Sequence, residues 1–248
     1  DIGKITTPEW IVDKPTKLTT IYDRIDTLRL RFALMEQQVE RLKACGQIDA
    51  EEAQEQLEKL ASDLAFLERA NLPGEYMEDA DVERLRRIAQ QTYELRGQVH
   101  PCITEEELTN LVIRKGSLTV AERKKINDHA SMSVKMLEQI PFTRKLRRVP
   151  EIAGAHHEKL DGSGYPNGLK AESIDLQSRI LALVDIFESL SADDRPYRAE
   201  PMPRERVLKI LKEMVDDDHI DRDVFDLFLR EGLAAKLDEL KEQMAHER

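Results

Sequence analysis

The residues best suited to chemistry are histidines and carboxylates in separate segments. His156 and His157 are adjacent and precede a glycine-rich loop in the stretch HHEKLDGSGYPNGL. His129 and Asp185 lie in two other segments with helical periodicity. Each residue alone is also compatible with a hydrogen-bonded core position. As a set they indicate a metal centre, because imidazole and carboxylate suit Fe, Mn or Zn, and because a lone carboxylate on an apolar helix is costly unless it is paired or metal-bound.

The adjacency of His156 and His157 predicts how they would share metal ions. Neighbours on a helix point about 100° apart, so both side chains cannot comfortably ligate one ion. We therefore expect them to address two ions that lie close together. The opening DIGKI adds Asp1 and Lys4, which lie three residues apart and close to one helical face, and which form a weak signal by themselves.

Composition limits the class of protein. The chain has 248 residues, of which 35% are charged, and its formal net charge of −11 argues against nonspecific binding of nucleic-acid polymers. Glycine and proline are sparse, which favours an all-α fold. Cys45 and Cys102 are too few for a disulfide framework, so a reducing, cytoplasmic location is expected. No apolar run approaches the length of a membrane span.

The segment 17–98 is predicted to form a helical insertion. Two series of apolar residues recur at spacings of three and four, separated by a turn at Cys45–Gln47, and they predict an antiparallel helical hairpin with coiled-coil-like packing. The series are Ile21, Ile25, Leu28, Phe32, Met35, Val39 and Leu42, then Ala50, Ala53, Leu57, Leu60, Leu64 and Leu67. A third helix is expected from about Asp79 to Glu94. We interpret this segment as a structural or partner-binding arm.

Further helices are predicted beyond residue 100. Thr104 with Glu107, and Thr119 with Glu122, fit the capping box that begins a helix. Four more helices are expected, and no strand is predicted. They lie in the segments VPEIAGAHHEKL, ended by Asp161 and Gly162, then SRILALVDIFESL, PRERVLKILKEM and DRDVFDLFLREGL.

These blocks resemble the HD-GYP domains of the HD phosphohydrolase superfamily. DIGKI, LTVAERKKINDHASMSVKMLEQIPF, HHEKLDGSGYPNGL, RILALVDIFESLSADDRPYR and HIDRDVFDLFL occur in the family's order, and the HHEKLDGSGYP block is highly specific. The resemblance implies an HD-superfamily helical bundle, with residues 1–16 and 99–248 as the catalytic domain. HDIGK is the common family form of the first block. We therefore expect this chain to be a fragment that lacks the HD histidine and is impaired in metal binding.

The resemblance also implies the roles of individual residues. Asp1 resembles the bridging aspartate, Lys4 the lysine that contacts the substrate phosphate or the attacking water, and Asp185 the last carboxylate ligand. His129, His156 and His157 resemble metal ligands. The residues expected near the substrate are Gly164, Tyr165, Pro166, Arg195 and Arg198. Two or three divalent metal ions, Fe or Mn, are implied as cofactors.

The resemblance implies hydrolysis of the bacterial second messenger cyclic di-GMP to pGpG or GMP. Two close cations would make hydroxide available at neutral pH and neutralise the phosphodiester. An upstream sensory domain is expected, together with protein partners that bind the GYP loop or the helical arm. Two alternatives stay open. In the first alternative the domain is a degenerate HD-GYP module that only binds and signals. In the second it hydrolyses another phosphate ester.

Overall fold

A computed structural model describes residues 2–74, 76–192 and 202–237. The fold is mostly helical, as predicted, and the chain divides into two compact units. Residues 1–7 and 124–248 form one, which we call the histidine unit, and residues 8–123 form the other, the arm unit. The limits predicted for the catalytic domain and its insertion stay a prediction.

The arm unit contains five helices and a two-stranded sheet among its described residues. In chain order these elements are α1 (Glu9–Val12), α2 (Ile25–Ala44), α3 (Ala50–Asn71), α4 (Asp79–Ala89), β1 (Thr92–Leu95), β2 (Gln98–Pro101) and α5 (Glu105–Leu111).

Helices α2 and α3 contribute most of the apolar core of the arm unit. Phe32 is fully buried and Leu57 is partly buried against the same core. Near the start of α2, Arg29 donates to the Glu68 carboxylate near the end of α3 at 2.7 Å, so the two helices run antiparallel. The prediction that Ile21 belongs to the apolar series of the first helix is wrong, because this residue precedes α2 and is 91% exposed.

The third predicted helix is shorter than expected. It ends at Ala89 instead of about Glu94, and the chain then forms the antiparallel strands β1 and β2. The strands are joined by Arg96 and Gly97, which both have positive φ angles, of 54° and 78°. Such a two-residue turn matches the twist of a hairpin, and it overrides the helical pattern that continues weakly through this segment.

Both predicted capping boxes are confirmed. The Glu107 backbone N–H donates to Thr104 Oγ1 at 3.3 Å, and the Thr104 N–H donates to the Glu107 carboxylate at 2.8 Å. Thr119 and Glu122 exchange the equivalent bonds, at 3.2 and 2.7 Å. Each pair satisfies two backbone donors that a helix start leaves without intrahelical partners.

The histidine unit contains the segments that carry the predicted metal ligands. Its elements are a 3-10 helix (Ile2–Thr6), most of α6 (Val120–Leu137), α7 (Val149–Gly154), a 3-10 turn (Ala171–Ser173), α8 (Leu176–Ser191), α9 (Arg204–Asp216) and α10 (Arg222–Arg230). Helices α8, α9 and α10 share an apolar core, in which the Phe187 and Phe228 ring centroids lie 5.0 Å apart.

The helix predicted to end at Asp161 and Gly162 ends earlier, at Gly154. His156 and His157 therefore lie in the turn that follows α7 and not within a helix. Gly154 packs closely against α6, since an added Cβ would come within 2.2 Å of Val134 Cγ2. The turn is closed by the Glu158 N–H, which donates to the Ala155 carbonyl at 3.0 Å. Across the described residues, none of the helices combines the length and the apolar character needed to cross a membrane.

Candidate metal centre

Three histidines from two segments meet in the histidine unit. His129 is supplied by α6, and His156 and His157 by the turn after α7. One ring nitrogen from each lies within 4.8 Å of the others, and the Nε2 atoms of His129 and His157 are 3.0 Å apart. The centroids of the adjacent His156 and His157 rings are only 4.0 Å apart. The prediction that the His156 and His157 side chains point about 100° apart is therefore corrected, because the two residues lie in a turn that lets both side chains point to one place.

Backbone carbonyls select the tautomer of two of these rings. His129 Nδ1 lies within hydrogen-bonding distance of the Ile126 carbonyl, and His156 Nδ1 lies 2.5 Å from the Ala153 carbonyl. A carbonyl only accepts, so each Nδ1 must carry the proton and donate it. The Nε2 atom of each ring then keeps its lone pair, which is the form that binds a metal ion.

The surroundings also favour the neutral form of His129 and His157. Burial lowers the pKa of His157 to about 3, and repulsion from His156, His129 and Lys4 acts in the same direction. Burial lowers the pKa of His129 as well, although its bond to the Ile126 carbonyl opposes this shift. Neutral imidazoles offer lone pairs to a cation without first losing a proton, so the cluster suits metal binding at neutral pH.

A carboxylate from α8 lies beside the three histidines. Asp185 Oδ2 lies 4.0 Å from His157 Nδ1, and the Asp185 side chain is 35% exposed. Its negative charge also acts on His129, where it raises the pKa against the effect of burial. The donor set is therefore imidazole nitrogen together with carboxylate oxygen, which suits Fe, Mn or Zn.

The N-terminal 3-10 helix packs directly onto α6 beside His129. The Gly3 N–H donates to Ser133 Oγ at 2.9 Å, and a Cβ added at Gly3 would lie 1.9 Å from the His129 carbonyl oxygen. Only glycine allows this approach. It brings Lys4 close enough for its charge to lower the pKa values of His129 and His157.

A cavity of about 490 Å³ lies beside the cluster. Its walls are mostly apolar, with Ser133, His156, Asp185 and Glu188 as polar members; the others are Ile2, Leu137, Ala153, Leu181 and Val184. Small-molecule sites typically enclose about 300–1,000 Å³ and combine apolar walls with a few polar groups. The cavity is therefore large enough for a ligand beside the histidines.

Residues 104–224 match a family model described as HD domain. A Vibrio cholerae protein named 3'3'-cGAMP-specific phosphodiesterase 3 is 42% identical over 107 residues, which cover 43% of this chain and 22% of the relative. The 3'3'-cGAMP-specific phosphodiesterase 1 of the same organism is 39% identical over 134 residues, 54% of this chain and 28% of the relative. A probable cyclic di-GMP phosphodiesterase of V. cholerae is 37% identical over 127 residues, which cover 49% of this chain and 28% of the relative. Together these matches support an HD domain of the HD-GYP type in this chain. The chain spans about a quarter of the length of these relatives.

The loop that follows the histidines folds back onto them. The Tyr165 ring stacks on His157 with centroids 4.7 Å apart, and the Tyr165 N–H donates to the His157 carbonyl at 3.2 Å. Gly164 packs on the backbone of the histidine segment, since an added Cβ would lie 2.3 Å from Lys159 N. Pro166 follows in the same loop. The loop thus supports a predicted ligand, and its contact with substrate stays a prediction.

Three predicted site residues, Asp1, Arg195 and Arg198, lie outside the described residues. The sequence interpretation missed two residues that contribute to the site. Ser133 anchors the 3-10 helix, and Glu158 is buried beneath the loop. Glu158 directly follows His157, and a carboxylate so close to two histidines was the signal that could have identified it.

Proposed function

We propose that this HD-GYP domain hydrolyses the phosphodiester bonds of a cyclic dinucleotide with the help of divalent metal ions. The observation that carries the proposal is the convergence of His129, His156 and His157, with two Nδ1 atoms directed at backbone carbonyls. The names of the relatives as cyclic dinucleotide phosphodiesterases support the substrate class.

Four described residues would hold the metal ions: His129, His156, His157 and Asp185. Their nitrogen and oxygen donors suit Fe or Mn, which we propose as the native metals, and Asp1 is proposed as a further ligand. A divalent cation in such a site supplies charge to neutralise phosphodiester oxygens and lowers the pKa of water.

The remaining residues act by position and charge. Lys4 is exposed and lies near the histidines, so its ammonium group can neutralise an oxygen of the bound phosphodiester as negative charge develops. Stacking of Tyr165 restrains the His157 ring, and the Ala153 carbonyl restrains His156. The cavity beside His156 and Asp185 offers apolar walls to the parts of the ligand away from the phosphate.

The test is hydrolysis by the purified chain, reconstituted without oxygen with Mn²⁺ or Fe²⁺. Cyclic di-GMP, 3'3'-cGAMP and a simple aryl phosphodiester are compared by chromatography of the products, including pGpG and GMP. We expect His156→Ala and Asp185→Ala to bind less metal and to lose turnover by at least about 100-fold, since each removes a ligand. His100→Ala is the matched control, because His100 lies on β2 and stacks on Tyr93.

The outcomes separate the alternatives. Hydrolysis of the aryl ester alone would favour another phosphate ester as substrate. Binding of a cyclic dinucleotide without turnover would favour the degenerate signalling module. Normal turnover in His156→Ala would contradict the ligand assignment. The upstream sensory domain, the protein partners and the cytoplasmic location stay predictions.

A second substrate has its own support. Two of the relatives, at 42% and 39% identity, are named as specific for 3'3'-cGAMP, whereas the relative at 37% is named for cyclic di-GMP. We therefore propose 3'3'-cGAMP as an alternative to cyclic di-GMP. The ratio of kcat/KM for the two nucleotides decides between them.

A further inference from the structure

Glu158 is a buried carboxylate whose contacts differ from those of a metal ligand. It is 4% exposed, and both of its oxygens accept backbone N–H groups, from Asn167 at 2.7 Å and from Leu169 at 2.8 Å. Hydrogen bonds to an ionised acceptor are roughly twice as strong as those between neutral groups. The side chain therefore fastens the far side of the GYP loop to the residue that follows His157.

The near side of the loop is held to the same backbone. Gly164 lies so close that an added Cβ would be 2.5 Å from Glu158 Cα, and the Tyr165 N–H donates to the His157 carbonyl. Between these two attachments, Tyr165 presents its ring to His157 at an interplanar angle of 29°. The loop is thus clamped at both ends around the stacking residue.

We propose that Glu158 is a positioning residue, which acts through Tyr165 to hold the His157 ring in the orientation that binds metal. This inference rests on the proposed function for its effect on turnover, but not for its effect on loop structure. The loop has no other buried acceptor among the described residues that binds two of its N–H groups. Loss of the carboxylate would release Asn167 and Leu169 and leave Tyr165 held from the near side of the loop alone.

The decisive variant is Glu158→Gln, which keeps the size of the side chain but has one acceptor oxygen in place of two. The amide NH₂ would then face a backbone N–H, so at least one of the two bonds is lost. We expect metal affinity to fall by about 10- to 100-fold, the range found when partners that orient metal ligands are removed. Asp221→Asn is the matched control, because Asp221 also accepts a backbone N–H, from Val224 at 3.1 Å, but caps α10.

A spectroscopic signal reports on Tyr165 without any need for activity. The chain has five tyrosines, so incorporation of 3-fluorotyrosine gives few ¹⁹F resonances, and Tyr165→Phe assigns the relevant one. In the unaltered chain this resonance should carry the ring-current shift from His157. We expect Glu158→Gln to move it toward the position of an exposed tyrosine, and Asp221→Asn to leave it in place.

A double-mutant cycle tests whether Glu158 acts through Tyr165. Mn²⁺ affinity is measured for Glu158→Gln, for Tyr165→Leu and for the double variant. If Glu158 acts through the ring, the double variant should bind metal about as tightly as Tyr165→Leu alone. Independent losses that multiply, or an unmoved ¹⁹F resonance in Glu158→Gln, would overturn the proposal. An unaltered chain that binds Mn²⁺ yet hydrolyses no cyclic dinucleotide would refute the proposed function and leave this inference standing.

Discussion

Replacement of Gly3 by alanine should impair the site without altering a ligand. The added Cβ would lie 1.9 Å from the His129 carbonyl oxygen and 2.5 Å from Ser133 Oγ. The first of these neighbours is backbone within α6 and cannot rotate away. To reach even 3.0 Å, below which real Cβ contacts are essentially never found, the segment must move by about 1.1 Å. The bond from the Gly3 N–H to Ser133 would be stretched from 2.9 Å and lost.

The size of the effect follows from this clash. Overpacking of a close contact costs about 1–3 kcal/mol, and the lost hydrogen bond about 1 kcal/mol. Because the 3-10 helix is only five residues long, we expect it to detach while α6 stays intact. A combined shift of about 2–4 kcal/mol lowers the population with Lys4 near the histidines by roughly 30- to 700-fold. Turnover should fall by a similar factor, while the melting temperature changes little.

The assay compares turnover, Mn²⁺ affinity and thermal unfolding in three variants. Ser133→Ala removes the hydrogen bond without a clash, so its effect should be smaller than that of Gly3→Ala. Ile5→Ala is the control in the same segment, because Ile5 is 80% exposed and should tolerate the change. Turnover of Gly3→Ala equal to that of Ile5→Ala would refute the reasoning, since it would mean that the docked segment contributes nothing to the site.

Two further predictions concern Gly164 and Lys17. Gly164→Ala should weaken Mn²⁺ affinity and lower the melting temperature, because its Cβ would lie 2.3 Å from Lys159 N. Gly74→Ala is the control and should do neither, because no atom lies within 4 Å of its added Cβ. Equal behaviour of the two variants would contradict the packing role of Gly164. Lys17 is buried, and burial lowers its pKa from 10.5 to about 8, while the charge of Asp81 opposes this. Because the pKa of Lys17 is lower in the folded state than in the unfolded state, the unfolded state binds more protons between pH 8 and pH 10.5. The free energy of unfolding should therefore rise by up to about 3 kcal/mol over this range. Denaturant unfolding should reveal that rise, and its persistence in Lys17→Met would exclude Lys17 as the cause.

The parts of the fold that were predictable depend on local signals. The capping pairs at Thr104 and Thr119 mark helix starts because the bonds join residues only three apart. The β1–β2 hairpin was missed because its turn residues are Arg96 and Gly97, whereas Asn-Gly or Asp-Gly is the usual signal. A positive φ angle at arginine is imposed by the pairing of the strands and cannot be inferred from residue preference.

The site was predictable to a different degree. His129, His156 and His157 were selected from their residue types, and the family resemblance implied the same role, but their sequence spacing gave no distance between them. The interpretation of His156 and His157 as helical neighbours was wrong because α7 ends at Gly154, where contact with Val134 of α6 and the closing turn outweigh the helical pattern. Tertiary contacts of this kind decide where a ligand points, and a single sequence does not report them.

The histidine cluster is supported at two places by backbone contacts that exclude a Cβ. Gly3 brings the N-terminal segment against the backbone of His129, and Gly164 brings the loop against the backbone of Glu158, next to His157. Side chains can adopt other rotamers, but backbone atoms within helices and clamped turns move only with their whole segment. Close backbone contact therefore fixes the N-terminal segment and the loop beside the histidines more tightly than side-chain packing would. Since a metal site tolerates little displacement of its ligands, the glycines beside the histidines are as much a part of the site as the imidazoles.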